Sequence, residues 1–478
     1  MIKKLYGSIV GIWVGGIALF LWSVPLNGQP VPRFHEPTHL GTIAQSVPSG
    51  RFLQGFSQQN IVNLPDSSPV RVQFMDLITG PLSDLNTGLN QVIHHPFLPQ
   101  RVRLRIEIDR DRGFTYVIFE NEVLPSSITS GEVPAGPFPL VSPGNMVIRR
   151  THQGGAIDQI RFFLGQGPHV FLRFFPHGSN QTRASFFAYN DQVPLIDDMV
   201  LPFPISRILS LPVQEMIVVL SGNRQWSRFL HPTSVYDYEL IEAMVHQLRP
   251  LLSTLPDRDD GAMDQFGRFV TINTLEPSTL PGFNCSGFAK WVADGVYIAY
   301  SQNNLYMEIE PLKEKHLDLR GSAIGLEFEE LRDPYFGLDW TRNIARTLAQ
   351  IRSGIPHDPE DMDVRQVPFF QYTEDVGFSV RDLWQIMYLL AITEPGHFYL
   401  GSINGEFGAN PMLWQHYHVV VLFPYFDQQG VFRVAVMERN VETGVNSLIR
   451  RYAHHYIHLV SVRAPQQGMF LPPLVQTP

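Results

Sequence analysis

Cysteine is almost missing from this chain: Cys285 is the single one in 478 residues. That excludes an internal disulfide, and it excludes a lipid-anchoring cysteine behind the N-terminal apolar run. A basic surface is lacking too. The formal net charge of -9 and a pI near 6.0 argue against nucleic acid as the partner. No phosphate-cradling glycine loop and no nameable internal repeat is present. Proline and glycine, 38 and 37 residues, are spread rather than clustered, which fits short strands and turns better than a long disordered tail. Metal-site strings are present only as mimics. His35-Glu36-Pro37-Thr38-His39 spells a zinc-protease motif but carries Pro37 inside the helix that such a motif needs. His454, His455 and His458 read equally well as strand residues, and Asp257 to Gly261 lacks the spacing and terminal glutamate of a calcium loop. No metal and no cofactor is expected.

What is there begins with Lys3 and Lys4, followed by an uncharged stretch from Leu5 to Val24. It is long enough to cross a hydrocarbon core of about 30 Å as a helix, with the lysines inside. The expected organisation is a membrane anchor or signal peptide over 1–27 and a proline-dotted stalk over 28–60. An extracytoplasmic globular part follows, anchored to the membrane or, if the segment is cleaved, secreted. Residues 61–232 read as a β-rich accessory module. Val102, Leu104, Ile106 and Ile108 alternate with arginine and glutamate, and similar short strands recur at Phe114–Glu120, Met146–Arg149, Ile160–Leu164, Val170–Phe174 and Ala184–Tyr189. Turn residues separate them at the spacing of an antiparallel sandwich or barrel. A helix opening at Ser234 and ending at Pro250 marks the change to a second domain over 233–478.

In that second domain Asn284 is a good helix cap, and Phe288, Trp291 and Val292 recur at helical spacing, which places Cys285 in a first helical turn. A buried lone cysteine also serves simply as a small hydrophobe. At a helix start, however, unpaired N–H groups and the helix dipole favour the thiolate. Helices are expected from Asp339 to Arg352 and from Ser379 to Ile392. A hairpin follows, with His418 to Phe426 running into Asp427-Gln428-Gln429-Gly430 and Val431 to Glu438 returning. Thiol catalysis needs an imidazole within reach of the sulfur and a third polar group to hold the ring. His418 is the candidate base, with His416 as a rival on the same strand face. Pairing Asp427 with Val431 puts Asn440 opposite His418; pairing Asp427 with Gly430 puts Arg439 there, and a slip the other way offers Glu438. Asn440 and Glu438 both stand as candidates for the third member.

Asn284-Cys285-Ser286-Gly287-Phe288 resembles the Asp-Cys-Ser-Gly-Phe motif of the NlpC/P60 family of papain-like cysteine peptidases, and His418-Val419 resembles the family's His-Val strand start. The resemblance covers roughly residues 257–450. It departs from the family in Asn284 for the usual acid, in Val420 where a small residue is common, and in the long interval from Cys285 to His418. It implies a papain-like domain with an insertion at about 300–400 and an α+β chain overall. It also implies a cysteine peptidase or amidase with Cys285 as nucleophile and His418 as base, acting on cell-wall peptides. A catalytically inactive relative that only binds wall peptide or protein, and a thiol acyltransferase, are the alternatives.

Overall fold

The structure, a computed structural model, describes residues 66–475 except 86–88, 98–99, 122–143, 165–167, 224–225, 227–234, 302, 317–332, 409–411 and 428–430. Two short helices, α1 (Ser68–Gln73) and α2 (Met75–Thr79), lead into eight strands. These are β1 (Asn90–His94), β2 (Arg101–Asp109), β3 (Phe114–Asn121), β4 (Met146–Thr151), β5 (Ile157–Phe163), β6 (Val170–His177), β7 (Gln181–Ala188) and β8 (Ile196–Leu201). Each pairs antiparallel with the next, so the sheet is an open meander in sequence order. Alternation gives it one apolar face: in β2, Val102, Leu104 and Ile106 are buried while the intervening arginines are only half-covered.

Helices close that face. Ile208 and Leu209 of α3 (Ile205–Ser210) and Val213, Met216, Ile217 and Leu220 of α4 (Val213–Ser221) are buried in the same cluster as the strand residues. Arg71 of α1, fully buried, donates its Nε to Leu209 O and an Nη to Leu211 O, both at 2.8 Å, and so ties α1 to the end of α3.

The second half starts with α5 (Val235–Leu252), which runs through Pro250 instead of stopping there. Pro250 falls in the final turn, where one missing N–H does not interrupt the rest of the helix. Next come the short pair β9 (Gly261–Met263) and β10 (Phe269–Thr271), α6 (Cys285–Tyr297) and α7 (Phe336–Ser353). After them come β11 (Phe378–Ser379), α8 (Leu383–Thr393), β12 (His397–Phe407), β13 (Leu413–Phe426), β14 (Phe432–Glu438), β15 (Val441–Thr443), α9 (Val445–Arg451) and β16 (Tyr456–Arg463). The strands from β11 on form an antiparallel sheet in the order β11-β16-β12-β13-β14-β15. Helix α7 lies close on it because Gly337 has no side chain; a Cβ there would stand 2.6 Å from His416 O and 2.8 Å from Ser402 Oγ.

The two sheets share one continuous core. Tyr189, just past β7, stacks on Trp384 of α8 at 4.8 Å between ring centroids, and Tyr388 and Phe432 pack on the same ring.

The expected architecture needs correcting. In place of a sandwich or barrel there is a single open sheet, because its apolar face meets helices rather than a second sheet. The expected span Leu5–Val24 and the stalk lie outside the described residues, and among those described no helix is long and apolar enough to cross a membrane. The described chain is thus a mixed helix and strand fold on antiparallel sheets, without the membrane helix or the sandwich that the sequence led us to expect.

Candidate functional site

The site is built where α6 meets the second sheet. Asn284 adopts an extended conformation, and its Oδ1 accepts the Gly287 N–H at 2.7 Å, which caps the helix and puts Cys285 in its first turn. The Asn284 N–H donates to Gly261 O of β9 at 3.0 Å. This approach is close enough to require glycine at 287, where a Cβ would fall 2.0 Å from the same carbonyl oxygen. From the other side, Trp340 of α7 donates its indole N–H to Ser286 O at 2.9 Å. The helix start that carries the thiol is therefore fixed by three elements.

His418 sits in β13, paired with Ile403 of β12. Its Nε2 lies 2.7 Å from Glu438 Oε2, and its imidazole and the Cys285 thiol stand close enough to shift each other's charge. Glu438 is the last residue of β14. One of its oxygens accepts from Thr443 Oγ1 at 2.5 Å and from the Arg451 guanidinium, while the other faces the imidazole. The Tyr452 ring packs 5.9 Å from the His418 ring, centroid to centroid.

These contacts set the charges. Burial pushes the Cys285 thiol up, but the hydrogen bond and charge of His418, the Val419 backbone N–H and the nearby Arg439 outweigh it, so the thiol ends below its ordinary value. Burial pushes His418 down, and its bonds to Cys285 and Glu438 reverse this and raise it to about 9. Burial pushes Glu438 up, yet the donors His418, Thr443 and Arg451 hold it at about 2. All three shifts run toward a thiolate facing an imidazolium braced by a carboxylate. The Cys285 and Ser286 N–H groups precede the first intrahelical bond and add the positive end of the helix beside the sulfur.

Of the two candidates for the third member, the chain brings Glu438 to the ring and takes Asn440 away. The β13–β14 register is the one that pairs Val421 with Met437, the register that would set Asn440 opposite His418. But β14 stops at Glu438 and folds back through Arg439 and Asn440, so that Glu438 pairs with Val441 of β15. Asn440 donates instead to Leu255 O at 3.3 Å. Glu438, on the same strand face as His418 and one step along, reaches it diagonally.

The rival His416 is engaged elsewhere, with Nδ1 3.0 Å from Ser402 Oγ and Nε2 2.8 Å from Asp375 O. His455 ends a turn and His458 lies in β16, its Nε2 3.2 Å from the Tyr372 hydroxyl and 3.4 Å from Asp363, so the three histidines do not share a helix face. Among the described residues no group of three potential ligands could hold a metal ion. Sequence reading missed Thr443 and Arg451, and it met Arg439 only as the residue that one register sets opposite His418. Arg439 adopts a left-handed φ of 51° and pairs with Asp257 at 2.9 Å and Asp259 at 3.5 Å beside the thiol, a turn that no glycine announces.

Comparison with known proteins adds little to this geometry. No curated protein and no solved structure matches the chain. Residues 60–228, the first sheet and its covering helices, match a domain of unknown function (DUF8515).

Proposed function

We propose that this protein is a cysteine hydrolase acting on peptide or amide bonds. One observation carries the reading: a thiol in the first turn of a helix stands beside an imidazole whose Nε2 is held 2.7 Å from a buried carboxylate. In this reading the Cys285 thiolate attacks the carbonyl carbon, and the developing oxyanion is met by the N–H groups at the start of α6. The His418 imidazolium gives its proton to the leaving amine as the C–N bond breaks, which leaves a thioester on Cys285. Water then adds to the thioester while His418 takes its proton. The C–S bond breaks, the acid leaves, and the ion pair is restored. Glu438 touches the imidazole and not the substrate; it positions the ring and stabilises its charge.

The substrate class rests on the resemblance of Asn284-Cys285-Ser286-Gly287-Phe288 to the NlpC/P60 motif, which favours cell-wall peptides. The test is to incubate the purified protein and its Cys285→Ala variant with cell-wall fragments and determine product masses. Fragments heavier by one water per cut, formed by the parent and not by the variant, are expected. Products joined to an added amine with no gain of water would make it an acyltransferase. No turnover, together with a thiol that alkylates no faster in the native than in the denatured protein, would leave only a binding role.

A further inference from the structure

The first sheet has a second face, opposite the core, whose composition the thiol site does not explain. Ile160 and Phe162 of β5 and Leu172 and Phe174 of β6 enter the core, so Arg161 and Arg173 project the other way. They are direct partners in the β5–β6 register. Beneath them Phe163, Phe171 and Phe187 form a small separate cluster. The Arg173 guanidinium carbon lies 4.0 Å from the Phe187 ring centroid, and that of Arg161 lies 5.1 Å from the Phe171 centroid. Arg173 donates an Nη to Asp191 O at 2.8 Å. Arg161 has no hydrogen-bond acceptor among the described residues, and the Nε of both arginines is buried without one. Asp191 acts on Arg161 only through its charge, and a third arginine, Arg149, adds repulsion. Arg149 is already matched, with Nε and Nη2 at 3.0 and 2.7 Å from the two oxygens of Asp158. Asp197 of β8 accepts from Ser185 Oγ at 2.6 Å.

Like charges directly opposite one another in a sheet are destabilising, and partly desolvated guanidiniums need acceptors. We propose that Arg161 and Arg173 form a binding site for a phosphoryl dianion of a phosphate-bearing ligand on the outer face of the first sheet. Two adjacent guanidiniums, offset together by the charge of Asp191 alone, match a dianion better than a single carboxylate, which Arg149 and Asp158 show to be sufficient for one arginine. A phosphoryl group has enough oxygens to accept from both forks at once, and the rings below hold the guanidinium planes in place. The site lies within residues 60–228 and gives that domain a ligand-binding role of its own.

The test is titration calorimetry and thermal unfolding of the full-length protein with inorganic phosphate, against chloride and acetate at matched ionic strength. Phosphate should raise the unfolding midpoint of the parent protein. Arg161→Gln and Arg173→Gln should each weaken phosphate binding roughly tenfold or more. Arg161→Lys, which keeps the charge but not the fork, should fall between the parent and Arg161→Gln. Arg161 has no hydrogen bond to lose, so Arg161→Gln in chloride should unfold no earlier than the parent, and it keeps the test valid should Arg173→Gln fail to fold. No effect of phosphate, an equal effect on the parent and Arg161→Gln, or an equal response to acetate would overturn the proposal.

Discussion

Glu438 holds a full negative charge in a nearly buried position because three donors converge on it, and this has a direct consequence for pH. With Glu438 at about 2 and His418 at about 9, the imidazolium persists through neutrality. The stability lent by His418 is complete below its ordinary value of 6.5 and is lost as pH rises through about 9. That lent by Glu438 is present above 4.5 and is lost as pH falls toward about 2. Turnover should therefore follow a bell whose alkaline limb lies near 9, the limb belonging to the coupled pair rather than to either group alone. Glu438→Gln keeps the size of the side chain and removes its charge. The expected result is a drop in kcat of roughly 10²-fold or more with KM little changed, and an alkaline limb displaced to lower pH. A pH–rate profile with an unmoved limb would remove Glu438 from the role of imidazole partner.

Among the elements, α6 is the one on which the site depends, and Gly287 is its tightest point. Glycine to alanine in a helix ordinarily gains about 1 kcal/mol. Here the added methyl would meet Gly261 O, so Gly287→Ala should instead destabilise by about 1–3 kcal/mol. It should also lower thiol reactivity by shifting the helix start. Urea unfolding and alkylation rates read the two effects, and a stabilised variant with unchanged reactivity would contradict the close packing. Helix α6 was legible in the sequence because its signals are local: a cap at Asn284, apolar spacing from Phe288, and glycine where β9 comes close. The strands of the first sheet were legible for the same reason, through alternation. What covers a strand's apolar face is not a local matter, and so the helices at Ile205 and Val213 could not be told from a second sheet. The end of β14 was hidden too. The register that puts Asn440 opposite His418 is the one observed, but an arginine at a left-handed φ turns the chain two residues early, and no glycine there signals it.

At the scale of the whole molecule, the aromatic contact between Tyr189 and Trp384 joins the two sheets into one core. A shared core predicts a shared transition. Calorimetry should show the described parts unfolding together, and Tyr189→Ala should lower that one transition by about 3 kcal/mol of stability. Two separated transitions, with only one moved by the substitution, would show instead that the sheets fold independently. The same stack bears on how such a chain can be inherited. Residues 60–228 include Phe186, Tyr189 and Trp226, and Phe186 and Tyr189 pack directly on α8 from the second half. A gene segment encoding that region cannot be shuffled freely as a self-sufficient cassette. Transplanted elsewhere, it would present an aromatic surface to water, so recombination can keep it only beside a neighbour that supplies the receiving rings.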